Sequence, residues 1–402
     1  MIFAIVGEPM STKREYTLGI WALTLGYFLF YVPYSGLAKA VTSGLLTAGR
    51  PVPGAQLLPS AVISTAISVL LFITVMGWWK YAQKRQFFGL NVPCPRRQTF
   101  ISGLSFAAII ITTTLAYSFS GVSIVFALIL MRAGVLIMSP LIDRIFHRRV
   151  RWFSWAGLLL SLLALLLSFS SVHEYQLSLA ALVNLAAYLT GYAMRIPCMT
   201  QIAKTGDKEI AYRYFVEEQA VAMPALVLAP ALLALFGRGE IVNQLRYGFA
   251  HLLTSPFTLS GIGIGIFYAG LGIVLSFIYL DRRENTFCMP LFSCSSLLSG
   301  IVASYILMWW LHGPAPSGVQ IGAAFLIIAA LLVMSPLHHL PLYLKQLKGA
   351  IAERRLVVLD FAKNAPSAAQ GIRPEGSSSF ITINFQAVRQ VLQKQSQSGG
   401  GS

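Results

Sequence analysis

An arginine lies near the middle of a long apolar segment, where a charge is costly. The segment runs from Gly121 to Ile142, and Arg132 is its twelfth residue. Its length of about 33 Å, at about 1.5 Å per residue, is enough to cross a bilayer core. A guanidinium at that depth faces a partner or a cavity, and its planar fork suits a carboxylate or phosphate. Arg132 is therefore either a substrate-binding group or one member of a fixed contact with another helix.

Five further charged residues lie in or beside apolar segments. Glu217 and Glu218 follow Arg213 at the start of one segment, where they could couple transport to protons or cap their helix N-terminus. Lys39 and Lys204 occupy equivalent places in the two halves of the chain, and Arg195 is similar. Snorkelling to lipid headgroups explains these cations, and a gating role is the alternative.

The composition predicts a membrane protein. The 402 residues are 56% hydrophobic and only 11% charged, about half the charged fraction of a typical soluble protein. The net charge of +16 falls in short connections between apolar runs, which favours membrane orientation over nucleic-acid binding. The four cysteines have no metal-ligand or disulfide spacing, and no enzyme or ATPase motif occurs. We therefore expect no cofactor, no metal and no catalytic residue.

Ten apolar segments have the length of a spanning helix. They are Leu18–Ala40, Leu58–Trp79, Phe100–Ser118, Gly121–Ile142, Trp152–Ser170, Leu179–Ala203, Phe215–Phe236, Leu259–Leu280, Phe287–Leu311 and Val319–Leu337. Lys and Arg concentrate in alternate connections, including the Arg144–Arg151 cluster, which places both termini in the cytoplasm. The run Gly261–Gly265 predicts close helix packing through small residues.

The two halves of the chain match at a constant offset of 165 residues. Gly26, Pro59 and Gly157, for example, match Gly191, Pro224 and Gly322. Five helices in each half make the second half inverted, which is a transporter architecture with a midplane site. The predicted organisation is an all-α polytopic membrane protein: a cytoplasmic N-terminus (1–16), two five-helix repeats (17–171 and 172–337) and a cytoplasmic tail (338–402), partly an amphipathic helix with a flexible end.

Two stretches resemble the drug/metabolite transporter superfamily, of the EamA-like kind. They are Ala116–Leu167 and Met289–Met334, in which Gly157 and Gly322 open the helix that follows the fourth and ninth spans. The resemblance implies a ten-helix, 5+5 inverted repeat. It also implies that the helices carrying a set of tyrosines line the central cavity: Tyr27, Tyr31, Tyr34, Tyr117, Tyr188, Tyr192 and Tyr268.

The sequence thus predicts a secondary, alternating-access transporter of a small organic metabolite, anionic or zwitterionic, in the inner membrane of a bacterium. Arg132 would bind the anion, with the tyrosines around it. Two alternatives remain open: transport or flipping of a phosphate-linked lipid, and a scaffold or sensor that acts through its cytoplasmic tail. A homodimer is a further possibility at this point.

Overall fold

A computed structural model describes residues 15–47, 49–87, 90–116, 124–169, 179–205, 207–313 and 318–335. Internal contacts divide the chain into Met1–Leu337 and His338–Ser402. All the described residues belong to the first unit. The predicted cytoplasmic tail, 338–402, therefore lies outside the described residues, as do residues 1–14.

The described residues form eleven α-helices. The first five are α1 (Glu15–Thr42), α2 (Gly54–Val75), α3 (Arg97–Leu115), α4 (Ile124–Ile145) and α5 (Trp152–Phe169). The other six are α6 (Leu179–Ile202), α7 (Lys208–Phe236), α8 (Glu240–Ala250), α9 (Thr258–Leu280), α10 (Asn285–Leu311) and α11 (Gly318–Met334). Each of the ten predicted apolar segments coincides with one helix, and α8 is additional.

Six of these helices are long and apolar enough to cross a membrane: α2, α3, α7, α9, α10 and the part of α1 from Gly19 onward. Two shorter apolar helices correspond to α5 and α11. These findings are consistent with a helical integral membrane protein, whereas the number of ten crossings remains a prediction.

Two elements were not predicted. After a 3₁₀ turn at Trp78–Lys80, a short antiparallel hairpin pairs β1 (Lys84–Phe87) with β2 (Leu90–Pro93). The other is α8, whose apolar residues Ile241, Val242, Leu245 and Phe249 share one helical face, with Val242 and Leu245 buried. Both elements connect apolar helices and lie outside them.

Polarity is inverted relative to a soluble protein. Large apolar side chains are exposed on the outer faces of the helices, among them Leu71, Leu166, Leu235 and Phe325. The interior instead buries many hydroxyl groups and several charges. Such a distribution suits a lipid environment, in which outward-facing apolar groups are favourable and polar groups pair internally.

The predicted glycine packing is confirmed where α9 crosses α2. A methyl group at Gly261 or Gly265 would come within 1.9 Å of the hydroxyl of Ser60 or Ser64. The close approach also lets Thr65 Oγ1 donate to the carbonyl of Gly265 at 3.0 Å. The small residues therefore permit contact between the backbones of the two helices.

Interhelical contacts fix the direction of the helices that surround the site. Ser295 and Ser299 of α10 donate to the carbonyls of Thr24 and Phe28 of α1, so these two helices are parallel. Asp143, near the end of α4, contacts the start of α10, so α4 is antiparallel to both. The bundle thus has one end where α1 and α10 finish, which we call the cavity end, and an opposite end, which we call the closed end.

Candidate functional site

A cavity of about 400 Å³ lies between α1, α4, α5, α10 and α11. Its lining residues belong to the second half of α1 and the residue that follows it, the middle and second half of α10, the first half of α4, the first half and middle of α11, and the last turn of α5. They are Tyr31, Ser35, Lys39, Thr42, Ser43, Ile129, Arg132, Ser168, Ser296, Leu297, Gly300, Ile301, Ala303, Ser304, Gln320, Ala323 and Ile327. All therefore lie between the middle of the bundle and the cavity end, where Ser43 is exposed.

One face of α1 gives the cavity a polar wall. Tyr31, Ser35, Lys39 and Thr42 are spaced by three or four residues and therefore lie one above another on that helix. Lys39 is exposed, and its Nζ donates to Ser304 Oγ of α10 at 3.1 Å. The wall thus runs from the centre of the bundle to the cavity end.

Arg132 lies at the inner end of this wall. It is half-buried, and its Nη2 donates to Tyr31 Oη at 2.8 Å. The guanidinium carbon also lies 5.9 Å from the centre of the Tyr31 ring. Among the residues that the structure describes, no acidic side chain lines the cavity. The charged side chains in the described lining are therefore two cations, Arg132 and Lys39.

The predicted tyrosines lie in one aromatic chain next to this cavity. Neighbouring rings have centres 4.9 to 6.3 Å apart, in the order Tyr268, Tyr34, Tyr31, Tyr27, Phe292, Tyr279, Tyr192 and Tyr188. Only Tyr31 of the set lines the cavity. The other described tyrosines belong to the aromatic chain but not to the cavity lining, and Tyr117 lies outside the described residues.

Arg195 does not snorkel to the membrane surface. It is fully buried, and its Nε and Nη2 each donate to one oxygen of Glu218 at 2.9 Å. Ser102 and Gln219 also donate to that carboxylate, and Arg195 Nη2 reaches Ser276 Oγ at 3.1 Å. The pair joins α3, α6, α7 and α9 at a place separate from the cavity lining.

Neither Glu217 nor Glu218 caps its own helix, contrary to one sequence interpretation. Helix α7 begins at Lys208, with Asp207 as its N-cap, more than two turns before Glu217. Glu217 instead accepts from Thr99 Oγ1 at 3.0 Å and lies within 3.4 Å of the backbone nitrogen of Arg96, at the start of α3. A carboxylate there is stabilised by the dipole of a helix distant in sequence.

The closed end is held by a second set of polar contacts. Asp143 is fully buried and accepts four hydrogen bonds of 2.7 to 3.0 Å from the backbone and side chains of Asn285 and Thr286. Asp143 therefore caps the first turn of α10. The cap joins the end of α4 to the start of α10.

An ion pair adjoins this cap. Arg151 donates to both oxygens of Glu284, at 2.8 and 3.0 Å, and Ser154 donates at 2.6 Å. Lys204 is buried and donates to the carbonyl of Arg283 at 2.8 Å, so it does not snorkel. We call the following residues the closed-end cluster: Asp143, Arg151, Ser154, Lys204, Glu284, Asn285 and Thr286.

Acid should weaken this cluster. Burial raises the pKa of the Glu284 carboxyl, but hydrogen bonds from Arg151, Ser154 and the backbone and the charge of Arg151 together lower it below its ordinary value. The Glu284 carboxyl therefore binds a proton less tightly in the folded protein than in the unfolded chain. Its contribution to stability is complete above the pKa of the unfolded chain, about 4.3, and is lost as pH falls through the lower pKa of the folded protein. The difference in melting temperature between the wild type and Glu284→Gln should thus be largest above the unfolded pKa of about 4.3 and shrink as pH falls below it. A difference unchanged down to pH 3 would contradict this assignment.

Sequence reasoning missed Tyr279, Phe292, Ser304 and, apart from Lys204, the closed-end cluster. Tyr279 could have been added because its helix, α9, carries the predicted Tyr268, whereas Phe292 lies on α10, which carries no predicted tyrosine. The contacts of Asp143 and Glu284 join residues more than 130 positions apart, and nothing in either local segment signals the other. The described residues contain no group of three or more potential metal ligands, and the four cysteines are free.

Comparisons with known proteins give the fold alone. No family model matches the chain, and no curated protein matches it. Among the solved structures that match, a crystal structure described only as that of a protein is 15% identical, with a TM-score of 0.53. The match covers 79% of this chain and 96% of the other. The architecture therefore occurs in a solved protein, and the function must be argued from the cavity.

Proposed function

We propose that this protein is a secondary transporter that moves a small organic anion by alternating access. The observation that carries the proposal is the position of Arg132. Its guanidinium lies at the inner end of a cavity that extends to one end of the bundle, while the polar contacts of the closed-end cluster join the helices at the other end. A charged group at the base of a one-ended cavity is what a midplane transport site requires.

Ten spanning helices in two inverted repeats are part of this proposal. Under the offset of 165 residues, α1, α2, α3, α4 and α5 correspond to α6, α7, α9, α10 and α11. The packing supports this correspondence: α2 packs on α9 as α7 packs on α3, and α1 packs on α9 as α6 packs on α3. Gly157 of α5 lies against Met334 of α11, and Gly322 of α11 lies against Leu167 of α5. Such reciprocal contacts are expected of a pseudo-two-fold axis in the membrane plane.

The orientation follows from the cationic connections. Five cationic residues lie at the closed end: Arg148, Arg151, Lys204, Arg282 and Arg283. Their contacts join the α4–α5 connection and the end of α6 to the α9–α10 connection. By the positive-inside rule this end faces the cytoplasm, so the cavity opens to the opposite side. The proposed location is the cytoplasmic membrane of a bacterium. The resemblance to the drug/metabolite transporters supports the same arrangement.

Arg132 should be required for anion binding. Purified wild type, screened by thermal shift against metabolites and phospholipids, should be stabilised by a subset of soluble anions. At a concentration of 100 Kd the expected gain is about 2.7 kcal/mol. Arg132→Gln should lose this gain, and Arg132→Lys should keep part of it because it retains the charge without the fork. Arg238→Gln, which removes an exposed cation outside the cavity, is the matched control.

Three results would count against the proposal. Equal stabilisation of the wild type and Arg132→Gln would make the arginine structural. Stabilisation by phospholipids alone would favour a lipid transporter. If wild-type protein in liposomes carries no flux of the anions that bind it, and deletion of residues 338–402 abolishes its cellular role, the scaffold reading would stand instead.

A further inference from the structure

Gly300 places a residue without a side chain in the middle of α10. Glycine is less favourable than alanine inside a helix, because it loses more backbone freedom on folding. Close packing between helices offsets this cost at Gly261 and Gly265. At Gly300, by contrast, an added methyl group would meet no atom of the described residues within 4 Å beyond its own turn of helix. Contact with a neighbouring helix therefore does not explain this glycine.

The open space beside Gly300 belongs to the cavity. Gly300 lines the cavity, as do Ser296 and Ser304, one turn before and one turn after it on the same face of α10. The hydroxyl groups of these two serines donate within the helix, to the carbonyls of Ser293 and Gly300. This part of the cavity wall thus presents bare helix backbone in the place that a side chain at position 300 would fill.

Gly300 lies close to the level of the contact between Arg132 and Tyr31. Ser299 of α10 donates to the carbonyl of Phe28 of α1, which places these two residues at similar heights on parallel helices. Gly300 is one residue beyond Ser299, and Tyr31 is three residues beyond Phe28. The difference of two residues is about 3 Å along the axis. A solute bound at Arg132 would therefore lie beside Gly300.

Apolar side chains of three helices line the cavity around this space. Ile129 precedes Arg132 by one turn of α4, Ile301 adjoins Gly300 on α10, and Ile327 lies on α11. These side chains offer contact area to a ligand and no hydrogen bonds. The organic body of an anion bound at Arg132 would thus lie between apolar side chains and the bare backbone of α10.

We propose that Gly300 determines how broad a substrate the cavity accepts, and that the substrate is an anion with a broad apolar body, such as a ring. This inference rests on the proposed function and narrows its substrate class. A methyl group added to a well-filled space is unfavourable. Alanine at position 300 would therefore exclude the broadest ligands, although it suits the helix better than glycine.

The first measurement needs no ligand. The thiol of Gly300→Cys should be alkylated by iodoacetamide in the folded, full-length protein in detergent, because the new side chain extends into the open cavity. Peptide mapping by mass spectrometry locates the modification. The native Cys294, six residues earlier on the same helix and fully buried, is the internal control and should stay unmodified. If the introduced thiol is as protected as Cys294, the space is inaccessible and the proposal is wrong.

The second measurement uses carboxylates of increasing breadth as probes: propionate, cyclohexanecarboxylate, benzoate and 2-naphthoate. Calorimetric titration of the wild type should give a higher affinity for the ring acids than for propionate. Gly300→Ala should lower the affinity for the best ring acid about fivefold or more, and leave that for propionate within about twofold. Its melting temperature without ligand should not fall. Gly272→Ala, in ordinary contact with Phe106 and outside the described lining, is the matched control and should leave both affinities unchanged.

The outcomes separate this inference from the proposed function. If Gly300→Ala weakens propionate and the ring acids equally, or weakens neither, the breadth proposal is wrong while an Arg132-dependent anion transporter stands. The same holds if ring acids bind the wild type no better than propionate does. If Gly300→Ala lowers the melting temperature as much as Gly261→Ala, the glycine serves helix packing and the proposal is also wrong. If no anion of any class binds the wild type, both proposals fall.

Discussion

Replacing Glu218 with glutamine should destabilise the protein by about 3–5 kcal/mol, because it leaves a charged guanidinium buried without its counter-ion. The Arg195 side chain has no exposed surface, and two of its nitrogens are bonded to Glu218. Its guanidinium carbon lies 3.9 Å from the centre of the Phe106 ring. Because arginine stays protonated, it cannot become neutral when it loses its counter-ion. The cost of burying the unpaired charge therefore lowers the free energy of unfolding in full. Thermal unfolding in detergent, followed by tryptophan fluorescence, measures the effect.

The neighbouring carboxylate offers a matched control. Arg213 pairs with Glu217 at 2.9 Å, but a third of the Arg213 side chain is exposed. Arg213→Ala should therefore cost less than Glu218→Gln, because the buried Glu217 carboxylate keeps its contacts with Thr99 and the start of α3. The double variant Arg195→Met/Glu218→Met should recover most of the lost stability, since apolar residues of similar volume often replace a buried pair at little cost. If Glu218→Gln has the same melting temperature as the wild type, the Arg195–Glu218 pair does not stabilise the fold.

Asp143→Asn should open the closed end and expose a thiol behind it. Cys288 lies on the first turn of α10, fully buried, with its Sγ 3.6 Å from Lys204 Nζ. All four hydrogen bonds at this position are donated to the Asp143 carboxylate. The NH₂ group of an asparagine cannot accept them, so at least one charge-assisted hydrogen bond is lost. A loss of about 1.5–3 kcal/mol corresponds to a tenfold or greater rise in the open population. Alkylation of Cys288 should accelerate by the same factor, because labelling follows local opening.

Peptide mapping by mass spectrometry isolates Cys288 from the half-buried Cys94 and Cys198. Ser304→Ala, a substitution on the same helix but at the cavity end, should leave the rate unchanged. Its unchanged rate would show that a general loosening of α10 is not the cause. If Cys288 is alkylated at the same rate in the wild type and in folded Asp143→Asn, the closed-end cluster does not control access to this end of the bundle.

Local patterns were sufficient for the helices and for the central arginine. All ten apolar segments coincide with helices because segment length and composition determine this outcome without reference to any partner. Arg132 could be identified because a lone charge in an apolar segment is conspicuous in sequence. Its contact Tyr31 belonged to the predicted set because the family resemblance implies that its helix lines the central cavity.

Charges near helix ends were harder to interpret. Arg195, Glu217 and Lys204 each had a local explanation, snorkelling or capping, that their tertiary partners override. Glu217 caps α3 and Asp143 caps α10, each from another helix. A cap supplied across 118 or more residues follows from the fold and has no local signature. Helix α8 is different, because the spacing of Ile241, Leu245 and Phe249 would have indicated it.

The Arg195–Glu218 pair also constrains how the chain is inserted during synthesis. Arg195 alone would make α6 costly to release into lipid, and the same holds for Glu218 on α7. The partners are only 23 residues apart, on consecutive helices. In the proposed ten-helix arrangement, α6 and α7 would enter the bilayer as one helical hairpin, with each charge neutralised by the other.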